Sequence, residues 1–262
     1  MSSKLIRGTF ILTIGMVFSK MLGLFYVIPF NKIVGTEGIA LYGFAYTPYT
    51  IFISIATAGV PMAVAKFVAK YNAMGEYAIG RKLFESGQKV MMMTGVFAFL
   101  LMYVTAPGLA SVMETQSYSV EEVTTVIRSV SFALILVPSQ SLFRGFFQGN
   151  ESMGPTAVSQ VIEQIVRIIF MLAGAYVVLN VLGGSIVPAM GVAVFSAFVG
   201  AVAGLVVLLW YWRKRKGHLD ALLKKSKNEV DISMGAIYKE ILLSSIPFIF
   251  VGLAMPLFQM VD

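Results

Sequence analysis

The segment Ser159–Leu172, SQVIEQIVRIIFML, decides the fold. It lies in a run of apolar residues, 155–181, long enough to cross a bilayer as a helix, yet Glu163 and Arg167 sit near its middle. With a helix starting near Pro155 and rising about 1.5 Å per residue, Glu163 is about 12 Å deep and Arg167 about 18 Å deep, close to the midplane. Spaced i, i+4, the two share a face and can pair. Thr156, Gln160 and Gln164 fall on or beside that face, and Val158, Ile162, Ile165 and Ile169 fill the rest. Lipid offers no hydrogen bonds, so this polar stripe must face other helices or a water-filled cavity. The segment therefore demands a bundle with a polar interior: an all-α polytopic membrane protein.

Composition agrees. The 262 residues are 58% hydrophobic and 13% charged, with mean hydropathy +0.83. Soluble domains are nearer one-half apolar and one-quarter charged. Cysteine is absent, which excludes a disulfide framework and a thiolate metal site. The single histidine, His218, lies in a basic stretch and reads as a solvated side chain. No Walker loop, metal-ligand cluster or serine–histidine arrangement is present, so the residues point away from an enzyme, and no cofactor is expected. The net charge of +7 marks cytoplasmic loops of a membrane protein, not nucleic-acid binding.

Working outward, seven segments are long and apolar enough to span: 6–30, 40–68, 83–108, 122–146, 155–181, 186–212 and 237–262. The first begins like a signal sequence, but its apolar run is too long for one, and it reads as an uncleaved helix. Lys4 and Arg7, then Lys70, Arg81, Lys82 and Lys89, then RKRKGHLDALLKKSKNEVD fall on one side of a seven-span chain. Lys32 with Glu37, then Glu114, Glu121 and Glu122, then an uncharged loop fall on the other. The positive-inside rule places the N-terminus in the cytoplasm. Within the basic stretch, HLDALLKKSKNEV can form a short surface helix, and the stretch can also meet anionic headgroups. The seventh span stops at Asp262 without a polar tail, which reads as a cut chain whose second half lies beyond.

More charges lie at membrane depth. Lys20 is about 20 Å along the first helix, beyond what a lysine can recover by snorkelling. Gln140, Arg144 and Gln148 form an i, i+4, i+8 stripe in the fourth span, and Lys66 sits toward the cytoplasmic end of the second. Lys20, Lys66, Arg144 and Arg167 stand against Glu163 alone. A central charge costs about 3 kcal/mol on a lipid-facing surface, so these groups are expected in a cavity whose surplus is positive and whose ligand is an anion.

Three stretches, FSKMLGLFYVIPFNKIVG, GIALYGFAYTPYTIFISIATAGVPMAVAKFVAKY and RGFFQGNESMGPTAVSQVIEQIVRI, resemble the polysaccharide-biosynthesis and stage V sporulation protein B branch of the MOP flippase superfamily, to which the MurJ-type lipid II flippases also belong. The resemblance runs over essentially the whole chain, and GNESMGPTAVSQVIEQIVR is its most specific part. It implies a fourteen-helix transporter of two six-helix lobes around a central cavity. Residues 1–212 would be the N-terminal lobe, 213–236 a basic cytoplasmic loop and 237–262 the first helix of the second lobe. The family's SRxLG motif matches Ser19, Lys20, Met21, Leu22 and Gly23, with lysine in place of arginine. Charge is kept and bidentate geometry lost. A further basic residue expected soon afterwards is replaced by Phe25 and Tyr26.

The resemblance implies a flippase of the bacterial cytoplasmic membrane that moves an undecaprenyl-pyrophosphate-linked sugar, such as a lipid II-like peptidoglycan precursor, by alternating access, as a monomer when full length. Its partners would be that anionic lipid-linked oligosaccharide and the surrounding membrane lipids. Lys20 and Arg167 would attract the pyrophosphate, Glu163 would orient Arg167, Gln160 and Gln164 would bond sugar, and Arg144 and Lys66 would add charge. Two alternatives stand beside it. A cation-coupled multidrug exporter of the same superfamily should carry a cavity rich in Asp and Glu. A non-transporting scaffold for wall or spore assembly should tolerate neutral midplane residues.

Overall fold

The computed structural model describes residues 3–57, 59–113 and 118–227, together with 235, 239, 241 and 243, with side chains described from Gly8 onward. Apart from Lys239, Ile241 and Leu243, the expected seventh span lies outside the described residues. Among the described residues of 3–227, eight α-helices form: α1 Ser3–Phe25, α2 Val27–Thr57, α3 Val60–Met74, α4 Tyr77–Val112, α5 Val120–Ser131, α6 Ala133–Gly149, α7 Met153–Tyr176 and α8 Ile186–Lys224. A π-helical turn, Val177–Val181, extends α7. Among the described residues there is no β-strand.

These helices occupy the first six expected spans. Gly8–Met74, Tyr77–Val112, Met153–Val181 and Ile186–Lys224 are each long and apolar enough to cross a membrane. The first of them contains two passes. Gly35 breaks α2 with φ 68° and ψ −177°, a conformation that glycine alone adopts cheaply. The chain doubles back there, so the Phe30 and Tyr42 rings meet with centroids 5.8 Å apart. The fourth expected span is α5 followed by α6. Helix α5 is short and amphipathic, with Glu121, Glu122 and Arg128, and Ser119 and Glu122 close a reciprocal capping box at its start.

The basic stretch beyond Trp212, expected as a loop holding a short surface helix from His218, is helical from its first residue. Helix α8 continues unbroken through Gly217 to Lys224 because no proline or cap interrupts 213–224 and a lone glycine inside a long helix is tolerated, and its long basic side chains lie against aromatic rings. Lys214 Nζ is 5.1 Å from the Trp210 ring centroid, and the Arg215 guanidinium is 5.7 Å from that of Tyr211.

Small residues let the helices approach closely. A Cβ on Gly15 would lie 2.9 Å from that of Ala157, and one on Gly23 3.5 Å from Gln164 Nε2, so α1 lies along α7 and parallel to it. Gly200 and Gly204 let α8 pack against α7, antiparallel to it, where a Cβ would lie 2.9 Å from Arg167 Cβ and 3.2 Å from Glu163 Cβ respectively. Two apolar clusters result. One joins Phe30, Leu41, Met102, Ile127, Leu134, Met171 and Val194; the other joins Val64, Phe67, Leu83, Met91, Leu142, Phe147 and Leu208. Between them lies a level rich in buried polar side chains: Ser139, Gln140, Thr156 and Ser159. The candidate site stands at this level.

Candidate functional site

The polar face of α7 meets α1, α2 and α6. A cleft of about 690 Å³ is lined by Ser19, Lys20, Gly23, Leu24, Tyr26, Tyr42, Tyr46, Gln164 and Arg167. A second, of about 290 Å³, is lined by Met16, Ser19, Lys20, Arg144, Gln160, Glu163 and Gln164. Ser19, Lys20 and Gln164 line both, so Lys20 stands where the two meet.

The expected pair within α7 does not form. Glu163 Oε2 accepts instead from Arg144 Nη2 at 2.5 Å and from Gln140 Nε2 at 2.7 Å, both on α6. Arg144 Nε donates to Ser159 Oγ at 3.0 Å, and Thr156 Oγ1 donates to the Arg144 carbonyl at 3.3 Å. Charge-assisted bonds of this kind are about twice as strong as neutral ones. The carboxylate chose a guanidinium across the helix interface because Gly204 of α8 leaves room there: a Cβ at Gly204 would press on Gln140 and lie 3.0 Å from Glu163 Oε2.

Arg167 is therefore left without a carboxylate among the described residues. Its Nη2 donates to the Tyr42 hydroxyl at 3.2 Å and to the Tyr46 hydroxyl at 3.0 Å. The guanidinium also lies 5.3 Å from the Tyr46 ring centroid, where the negative face of the ring attracts it. The two tyrosine rings stack on each other, with centroids 5.1 Å apart and planes inclined by 15°. Gln160 Oε1 and Gln140 Oε1 are buried and have no hydrogen-bond partner among the described residues.

Of the charges expected together, Lys20, Arg144, Glu163 and Arg167 converge, as do Gln160 and Gln164. Lys66 does not. Helix α3 turns Ala63, Val64, Phe67, Val68 and Tyr71 into the core, and Lys66 falls off that stripe, exposed, with Nζ 5.9 Å from the Phe67 ring centroid. With Arg144 and Glu163 neutralising each other, the free charge of the clefts is Lys20 and Arg167. Such a site can hold an anion with at least two negative centres. Reasoning along one chain missed Tyr26, Tyr42 and Tyr46. The signal was there: Tyr42 and Tyr46 are spaced i, i+4 in a stretch that must face inward.

The family model for polysaccharide biosynthesis proteins matches residues 5–262. The lipid II flippase MurJ of Bacillus subtilis (strain 168) is 48% identical over 266 residues, covering 100% of this chain and 49% of that protein. Stage V sporulation protein B of the same organism is 28% identical over 217 residues, covering 80% of this chain and 39% of that protein. The chain thus spans about half the length of the curated relatives it matches. Among solved structures, a MATE protein in complex with MaD5 superposes with TM-score 0.71 at 16% identity, over 97% of this chain and 55% of that one. That likeness concerns the fold.

Proposed function

The chain belongs to the polysaccharide biosynthesis protein family, and from that premise we propose that it forms the N-terminal lobe of a flippase for undecaprenyl-pyrophosphate-linked sugars, with a lipid II-like precursor as the leading substrate. It is a multi-pass protein of the cytoplasmic membrane. In this reading residues 1–212 are the lobe, 213–236 connect it on the cytoplasmic side, and 237–262 open a second lobe.

The observation that carries the proposal is the pair of uncompensated cations, Lys20 and Arg167, lining one cleft of about 690 Å³ at the polar level of the bundle. Neither forms an ion pair among the described residues. In low dielectric such cations attract a diphosphate far more strongly than they would in water. Lys20 supplies a point charge and Arg167 a planar fork. Gln160, whose buried Oε1 lacks a partner among the described residues, and Gln164 would bond sugar hydroxyls and amides. The polyprenyl tail stays in the bilayer while the headgroup crosses. Glu163 holds Arg144, so among the described residues the clefts lack the free carboxylate that a carrier of cationic drugs would use. Transport rather than covalent chemistry is the expected activity.

The test is Arg167→Ala in the full-length protein, with externalisation of the lipid-linked precursor as the readout. A fall of at least tenfold at normal protein level is expected. Undiminished flipping removes Arg167 from the mechanism.

A further inference from the structure

We propose that the hydroxyls of Tyr42 and Tyr46 are themselves ligands of the transported anion, forming with Arg167 a three-residue phosphate station distinct from Lys20. This rests on the flippase reading above and names how that site takes hold of its diphosphate.

The argument starts from the direction of two hydrogen bonds. Arg167 Nη2 donates to both tyrosine oxygens, at 3.2 and 3.0 Å. A guanidinium has five N–H groups, and this arrangement occupies the two on Nη2, leaving Nη1 and Nε. Each phenol oxygen acts as an acceptor toward the arginine. Tyr42 is also hydrogen-bonded to Tyr26, which lines the same cleft; with Tyr26 donating in that bond, both phenols keep an O–H hydrogen for an acceptor elsewhere. Neither hydroxyl has a hydrogen bond to a carboxylate among the described residues, and both side chains line the larger cleft. The stacked rings, 5.1 Å between centroids, bring the two hydroxyls to the same guanidinium.

Arg167 also polarises them. An oxygen that accepts from a cation becomes a better donor of its own hydrogen, because the chain of bonds is cooperative. A phosphoryl group entering the cleft then meets two activated phenol donors and the remaining face of Arg167. No carboxylate competes with it there, since Glu163 is held by Arg144 and Gln140. Lys20, which lines this cleft and the neighbouring one, receives the other phosphoryl group. Simple propping of Arg167 would need only acceptors. Two neutral donors at the rim of a cleft are what an anion needs.

The sign of one substitution separates donor from prop. In the full-length protein, 3-fluorotyrosine at 42 and 46 makes each phenol a stronger donor and a weaker acceptor. Binding would be measured for vesicles carrying undecaprenyl-linked sugar diphosphate and, separately, for free inorganic pyrophosphate. Removing both hydroxyls in Tyr42→Phe/Tyr46→Phe should weaken binding by about tenfold or more. The fluorinated protein should bind a few fold tighter than wild type. Arg167→Ala added to the Phe pair should cost little further, because the three act as one unit, whereas Lys20→Met should multiply with it. Weaker binding of the fluorinated protein, or wild-type binding by the Phe pair, overturns the donor role. A wild-type protein that binds free pyrophosphate with this tyrosine dependence but ignores the lipid keeps the station and overturns the flippase reading. Binding of neither overturns both.

Discussion

At the scale of single residues, the identity of each partner decides the chemistry of the clefts. Glu163 could pair along its own helix with Arg167 or across to Arg144, and the sequence alone favours the nearer partner in number. The structure selects Arg144, at 2.5 Å, with Gln140 completing the carboxylate's shell. Both side chains are mostly buried, 16% and 21% exposed. Removing one member of a buried pair strands the other charge and costs about 3–5 kcal/mol, whereas replacing both with apolar residues of similar size is often neutral. Glu163→Ala should therefore lower the thermal midpoint of the detergent-solubilised protein strongly, and adding Arg144→Met should restore most of it. Adding Arg167→Ala instead should restore nothing. Rescue by Arg167→Ala and not by Arg144→Met would reinstate the pair within α7. That Lys20, Glu163 and Arg167 line polar clefts inside the bundle was readable from their places along the helices; their partners were not, because a partner on another helix leaves no mark on local spacing. Tyr42 and Tyr46 escaped for a related reason, since tyrosine in a span is apolar enough to pass as packing.

At the scale of elements, the helices follow the apolar runs, and their departures have local causes. Gly35 turns one 67-residue apolar stretch into a hairpin. The polar residues of α5 make it a separate amphipathic segment, while the basic residues after Trp212 remain helical because no proline lies there and Gly217 alone does not end a long helix. What fixes the distances between helices is written mainly in glycine. A Cβ on Gly145 of α6 would collide with the Pro61 carbonyl of α3, a backbone atom that cannot swing away, and one on Gly149 would lie 2.7 Å from the Ala65 carbonyl. Gly154, at the start of α7, has nothing within 4 Å of such a Cβ. Gly145→Ala should thus cost about 1–3 kcal/mol by forcing α3 from α6. Gly154→Ala should be neutral or stabilising by up to about 1 kcal/mol, the helix-propensity gain of alanine over glycine. Thermal unfolding of the two variants side by side checks this, and equal costs would mean that α3 and α6 are not in close contact. Sequence alone ranks the two glycines alike, since only the neighbouring helix tells them apart.

At the scale of the whole molecule, the six passes among the described residues bring the chain turns to two ends with opposite charge character. At one end the α3–α4 turn, the α6–α7 turn and the end of α8 meet: Asn72 Nδ2 donates to Asn150 Oδ1 at 3.0 Å, and the Lys227 amide to the Gly75 carbonyl at 3.2 Å. Arg81, Lys82 and the basic residues of α8 belong to this end. At the other end a Cβ on Gly38 would lie 3.2 Å from Ile186, which joins the Gly35 hairpin to the start of α8. The positive-inside rule then orients the molecule with the α3–α4 turn in the cytoplasm. The absence of cysteine from these residues makes the test direct. Cysteine at Thr36 or Leu182, both exposed at the end that carries Glu37, Glu121 and Glu122, should react with a membrane-impermeant thiol reagent in intact cells. Cysteine at Lys82, exposed at the basic end, should react only once the membrane is opened. The reverse pattern inverts the molecule, and reaction of Thr36→Cys and Lys82→Cys from one side breaks the pairing of spans from which the clefts are built. Serine 19, which lines both clefts, adds a functional arm: a cysteine there should be protected by lipid-linked diphosphate, since the headgroup that meets Lys20 must cover its neighbour. Labelling that ignores the lipid would place the headgroup elsewhere, and with it the role of the two free cations.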